Sequence, residues 1–217
     1  MTANLTEMLS VLRDFYGPLV FAGPTGWFEI ILWENVAYLV PDDRRELAWQ
    51  SLKAIVGTGP ADILSADRDT LVQAIGEGGM LAPHRAEKLK KCAEIAIDRF
   101  GNDLGAMLRL PTIQMRRELM RFPGIGAPGA DKLLLLTKVT PVLALESNGL
   151  RVLLRLGYGE ETRNYGRTYR SAQAAASKEI ETDFGPMTEA FRLLLHHGHE
   201  ICKCSRRLHF PAADPRR

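Results

Sequence analysis

Apolar residues recur at three- and four-residue spacing along almost the whole chain, as in Phe28, Ile31, Leu32, Val36 and Leu39 and again in Leu47, Leu52, Ile55 and Val56. That spacing lines one face of an α-helix, and no stretch sustains the alternation of a strand. The pattern predicts helices at about 4–15, 27–39, 43–56, 67–76, 82–100, 111–121, 128–138, 147–156, 167–183 and 186–198. Capping chemistry punctuates them: Asp42 precedes the RRELAW helix, Asp67 precedes TLVQAI, and Gly57, Gly101 and Gly157 follow helical runs. The expected fold class is all-α, and a 217-residue chain that is 46% hydrophobic can fill the core of one large domain or two small ones.

Several classes of protein are disfavoured at once. No apolar run approaches the roughly 18 residues of a spanning helix, so no membrane association is expected. The N-terminal MTANLTEMLSVLRDF carries charges where a secretory signal would carry an apolar block, which points to the cytoplasm. Three cysteines, Cys92, Cys202 and Cys204, are an odd count that does not suit a disulfide framework. A net charge of +2 describes a mixed surface, but CKCSRRLHFPAADPRR makes the C-terminal end locally basic.

One segment breaks the helical pattern sharply. In RFPGIGAPGADK, Pro123 disfavours helix at Phe122 and has no N–H to donate, yet a second helix restarts almost immediately. Gly124 and Gly126 let the backbone approach another surface, and the restarted helix presents N–H groups without intrahelical acceptors. Those amides suit an anion such as phosphate; the alternative is a tight helix–helix turn with no ligand.

This segment resembles the helix-hairpin-helix of the endonuclease III superfamily of DNA glycosylases, whose pattern is leucine-proline-glycine-apolar-glycine, then a helix and an apolar-acidic segment. The matching parts are Phe122-Pro123-Gly124-Ile125-Gly126, then Ala130 to Lys138, then Ala144-Leu145-Glu146. Trp27 to Leu32 looks like the family's first barrel helix, Gly79-Met80-Leu81 with Arg85-Ala86-Glu87-Lys88 like its glycine-aromatic-basic-alanine segment, and Leu195 to Cys202 like the helix entering its iron–sulfur loop. The resemblance implies two helical domains, 27–139 with the hairpin at 122–127 and 1–26 joined with 140–217, and a DNA-binding cleft between them. It further implies a double-stranded DNA partner, a monomer, a nucleoid-associated location and a base-excision-repair role.

The departures from the family shape the expected chemistry. Where bifunctional members carry a lysine that forms a Schiff base, this chain has Pro128, and Lys132 is one helical turn further on. The essential aspartate is matched by Glu146, which either serves catalysis or stabilises the helix starting at Ser147. The resemblance therefore implies a monofunctional DNA N-glycosylase without lyase activity, with Glu146 as its catalytic residue; the alternative is a catalytically inactive DNA- or damage-binding protein. Pro123, Gly124, Ile125, Gly126, Ala127 and Lys132 are the expected DNA-binding residues. Asn35, Tyr38 and Leu39 are candidate lesion-pocket residues, with Leu39 either a wedge between bases or part of the core.

The family's four-iron cluster needs four thiolates, and the cluster region here offers only Cys202 and Cys204, so no iron–sulfur cluster is expected. His196, His197 and His199 with those cysteines do not form a recognised zinc spacing, and no metal site is expected.

Overall fold

The computed structural model describes residues 4–20, 23–101 and 103–205, with side chains up to residue 200. Its helices are α1 (Leu5–Tyr16), α2 (Trp27–Val36), α3 (Asp42–Ile55), α4 (Pro60–Ser65), α5 (Arg68–Ala74), α6 (Ala82–Phe100), α7 (Gly105–Leu108), α8 (Thr112–Leu119), α9 (Ala127–Leu136), α10 (Ser147–Arg155), α11 (Tyr165–Ala176) and α12 (Phe184–Ser205). Among the described residues there is no strand, only an isolated bridge between Tyr38 and Gly79. The all-α class read from the spacing is the observed one. The chain divides into two compact units, one drawn from Met1–Val20 and Val142–Arg217, the other from Phe21–Pro141.

The larger unit is organised around α2. Its sequence, WFEIILWENV, is apolar on nearly every side, and a helix of that kind belongs in the middle of a core. Trp27, Phe28, Ile30, Ile31, Leu32, Trp33 and Val36 are all buried. α6 packs onto it with the stripe Ala86, Leu89, Cys92, Ala93 and Ala96, whose three- and four-residue steps put small side chains on one face. Trp27 anchors the far end: its ring meets Phe28, Phe100 and Phe122 edge-on at 5.7, 5.7 and 5.8 Å, and its indole N–H donates to the Leu104 carbonyl at 2.8 Å. Phe122 ties the hairpin to this aromatic cluster.

In the other unit α10 packs on α12. Gly149 and Gly198 make the approach possible, since a Cβ at Gly198 would lie 2.6 Å from the main-chain carbonyl carbon of Asn148. Glu179 gathers the N-terminus of α1 by accepting from the Leu5 N–H at 2.8 Å, from the Tyr158 hydroxyl at 2.7 Å and, through its carbonyl, from the Thr6 hydroxyl at 2.7 Å. Asn4 caps α1 by accepting from the Thr6 and Glu7 amides.

Three helices depart most from the sequence pattern. α2 stops at Val36 rather than 39, α11 ends at Ala176 rather than 183, and α12 runs from Phe184 to Ser205 rather than from 186 to 198. α4 and α7 were not expected. Both are under two turns long, too short for a periodic pattern to register.

Candidate nucleic-acid interface

The hairpin turns between α8 and α9. The Ile125 N–H donates to the Phe122 carbonyl at 3.1 Å, and Gly124 has φ +80°, the left-handed region that a side chain disfavours. Gly126 is the N-cap of α9, with φ −92° and ψ −170°. Phe122 and Ile125 are buried while Gly124 and Gly126 are exposed, so the turn anchors itself through its side chains and offers its glycines to solvent. α9 begins at Ala127, and the amides of such a first turn have no acceptor within the helix. Pro128 lies in that turn and supplies no N–H, so the potential anion site has one donor fewer than a helix start normally provides.

Asn35 and Lys132 are placed differently from expectation. Asn35 is buried on α2, and its amide donates to the Pro123 carbonyl at 2.9 Å and the Ile31 carbonyl at 3.0 Å. A Cβ at Gly124 would lie 2.7 Å from its Oδ1. Its side chain holds the hairpin, because a buried carbonyl at the break between helices needs a donor. Lys132 is 4% exposed, with its ammonium 2.7 Å from Glu34 Oε1. That contact is an ion pair without good hydrogen-bond alignment, and it joins α9 to α2. The amine is engaged inside the protein instead of facing a ligand.

Tyr38 and Leu39 are not core. Leu39 is 78% exposed and Tyr38 about half-exposed, because α2 ends before them and the chain turns outward. Beside them is the loop that carries Gly79-Met80-Leu81. The Tyr38 N–H donates to the Gly78 carbonyl at 2.8 Å, and beyond it Met80 and Leu81 are also exposed, Leu81 at 58%. Leu39 and Leu81 both have positive φ, 55° and 59°. Nothing in the spacing of either residue announces that conformation, since leucine rarely adopts it.

Glu146 lies in the other unit, as the N-cap of α10 with φ −86° and ψ 168°. Its carbonyl accepts from the Leu150 N–H at 2.8 Å, but its side chain makes no capping hydrogen bond. Two residues further on, Asn148 packs closely against Gly198 of α12. Tyr165 is a near electrostatic neighbour. Burial first, then the Glu146 charge, raise its phenol above the ordinary value, while Arg151 opposes them.

The histidines do not converge. The Tyr16 hydroxyl and His197 Nδ1 share a hydrogen bond of 2.9 Å, and the His196 ring meets Tyr16 edge-on at 4.6 Å. Burial, with His196 alongside, lowers the His197 pKa. Among the described residues no three or more His, Cys, Asp or Glu side chains gather as a metal would require. Cys92 is buried within α6, where desolvation pushes its thiol up to about 12. The Cys202 and Cys204 side chains and the basic tail after Ser205 lie outside the described residues. Three cysteines, one of them in the core, do not fit a four-thiolate cluster.

No protein-family model matches the chain. Endonuclease III of Thermotoga maritima is 25% identical over 177 residues, which cover 81% of this chain and 75% of the relative. Endonuclease III of Sulfolobus acidocaldarius is 25% identical over 192 residues, 88% of this chain and 81% of the relative. Among solved structures, a non-covalent endonuclease III–DNA complex superposes with a TM-score of 0.69 at 18% identity, covering 100% of this chain and 90% of that one. A thermostable thymine-DNA glycosylase gives 0.70 at 17% identity over 92% and 88%. The fold is that of the endonuclease III type. At this low identity the chain is similar to endonuclease III-like DNA glycosylases in sequence and shares their fold.

Proposed function

We propose that this protein binds double-stranded DNA as a base-excision-repair protein and acts as a monofunctional N-glycosylase without a lyase step. The observation that carries the reading is the hairpin: two exposed glycines at the start of α9, fixed from beneath by Asn35 and Phe122, form a rigid seat for a backbone phosphate. Gly124, Gly126 and Ala127 supply this contact through their main chain. Pro123 and Ile125 shape the turn, and Lys132 supports it through Glu34. The exposed leucines at 39 and 81 are suited to enter a base stack, where apolar side chains unstack neighbouring bases. The protein works as a cytoplasmic, nucleoid-associated monomer with two domains, 27–139 and the joined terminal segments, and carries no iron–sulfur cluster.

Glu146 is the catalytic residue of this reading. As a base leaves, positive charge develops on the sugar, and a carboxylate stabilises that charge or takes a proton from the attacking water. Pro128 has no amine to form a Schiff base, so the abasic product keeps its strand intact. A second reading, a binding protein without catalysis, is favoured by two specific substitutions: proline for the lyase lysine and glutamate for the aspartate. Excision assays on a panel of damaged duplexes with wild type and Glu146→Gln decide between them. Excision lost in Glu146→Gln with duplex binding retained supports the enzyme. Wild type silent on every lesion, while binding duplex, supports the binding protein.

A further inference from the structure

Arg85, in the first turn of α6, is 3% exposed, and its recorded partners are all main-chain carbonyls. Nε donates to Met80 at 2.9 Å, Nη1 to Ile75 at 3.0 Å and to Val36, and Nη2 to Gly79 at 2.7 Å. A buried guanidinium is costly unless its donors are satisfied, and here four bonds from one planar fork reach two separate stretches of chain. One is the end of α2, where the Val36 carbonyl is held just before Tyr38 and Leu39. The other is the loop 75–81. The fork's grip on Val36, together with the Tyr38–Gly78 bond, is the physical reason α2 ends where it does. A Cβ at Gly78 would strike both the Val36 carbonyl and the Arg85 guanidinium, so the two stretches meet as closely as backbone allows. Arg44 secures the far side of the second loop, donating to the Glu77 carbonyl at 3.0 Å and to its carboxylate at 2.9 Å.

Each stretch ends in a leucine with positive φ, exposed to solvent. Such a conformation is strained for a leucine, and for an exposed side chain no core packing offsets the strain. Strain maintained at two adjacent exposed apolar tips, by a buried cation bonded to both loops, makes sense if the tips must be presented together. We propose that Arg85 is a positioning residue that locks the loops 37–40 and 79–81 into one two-pronged apolar tip for insertion into duplex DNA. The inference rests on the DNA-binding reading above and adds to it the device that keeps the prongs in place before DNA arrives.

Arg85→Lys tests it, since lysine keeps the charge but a single ammonium cannot span carbonyls on both loops. In the free protein, amide hydrogen exchange at Tyr38 should rise by about tenfold or more in Arg85→Lys while exchange in α9 stays as in wild type. With a duplex carrying 2-aminopurine, wild type should raise the fluorescence by unstacking the probe. Arg85→Lys should fall to the level of the Leu39→Ala/Leu81→Ala double variant, at a duplex affinity within about threefold of wild type, since phosphate contacts set most of that affinity. Wild-type exchange in both loops of Arg85→Lys overturns the positioning role. Fluorescence unchanged by wild type on a duplex it binds overturns insertion, and failure of wild type to bind duplex overturns the DNA-binding reading beneath it. If Arg85→Lys does not fold, Arg44→Ala, which frees the far side of the 75–81 loop from the surface, is read by the same two measurements.

Discussion

Gly124 and Gly126 are two residues apart in one turn, and they answer different questions when replaced. Gly124 has φ +80° and its missing Cβ would press on Asn35, so Gly124→Ala should cost about 1–3 kcal/mol of stability and would lower DNA binding for a trivial reason. At Gly126 the backbone is extended and the nearest atom to an added Cβ is Pro128 Cδ at 3.8 Å, so the fold has room. Gly126→Ala should cost about 1 kcal/mol or less as a poorer N-cap. On the proposed phosphate seat its methyl would crowd the approach to the α9 amides, so duplex affinity should fall roughly tenfold, the worth of one charge-assisted contact, and equally for all sequences. Thermal unfolding alongside a binding titration checks both halves; unchanged affinity in folded Gly126→Ala would return the motif to an ordinary turn. The sequence displayed both glycines, but their difference depends on a dihedral angle and on Asn35, which is close in space and nearly ninety positions away in the chain. The same limit explains Asn35 and Leu39: the helix expected at 27–39 contained both, and spacing could not show that it ends between them.

α2 bears two adjacent polar residues that both serve the hairpin, Asn35 through the Pro123 carbonyl and Glu34 through Lys132 on α9. The ion pair is largely out of water, so removing one partner leaves an uncompensated charge. Lys132→Ala should destabilise by about 3–5 kcal/mol, whereas the double change Glu34→Leu/Lys132→Met should recover most of that loss. Denaturant midpoints of the three proteins measure it, and equal loss in the single and double variants would mean the pair contributes shape and not charge. The same burial bears on chemistry. An amine buried against a carboxylate cannot reach a bound sugar, so borohydride added during any turnover should trap no protein–DNA adduct, and a trapped adduct would show that a lysine reaches the sugar. Sequence comparison alone left Lys132 as the nearest candidate amine, because a one-turn offset along a helix says nothing about what faces it across the core. The long helices were readable from spacing because each buries a stripe. The end of α2 was not, since Arg85 sets it from another helix.

Each unit of the molecule contains a buried weak acid whose neutral form the fold strongly prefers. In the unit around α2 it is Cys92, pushed up by desolvation from 9.0 to about 12. In the other it is Tyr158, raised from 10.0 to about 12 by burial and then by its hydrogen bond to Glu179. Unfolded, both groups lose their protons near the ordinary values; folded, they keep them to about pH 12. Between those limits the unfolded chain binds fewer protons than the native one, so stability must fall as pH rises. The contributions are complete below about pH 9 and are lost progressively from there to about pH 12, the Cys92 part starting first. Melting temperatures measured across this range should therefore decline in wild type. Cys92→Ala should flatten the curve from its lower end, and Tyr158→Phe from about pH 10 upward, each on top of its own constant loss of packing or of the Glu179 bond. Because the two groups belong to different units, the variants also report on cooperativity: if the units unfold together, both flatten the same single transition, and if they unfold separately, each variant alters only one of two. A wild-type melting temperature constant from pH 8 to 11 would mean that neither group is held in its neutral form by the fold.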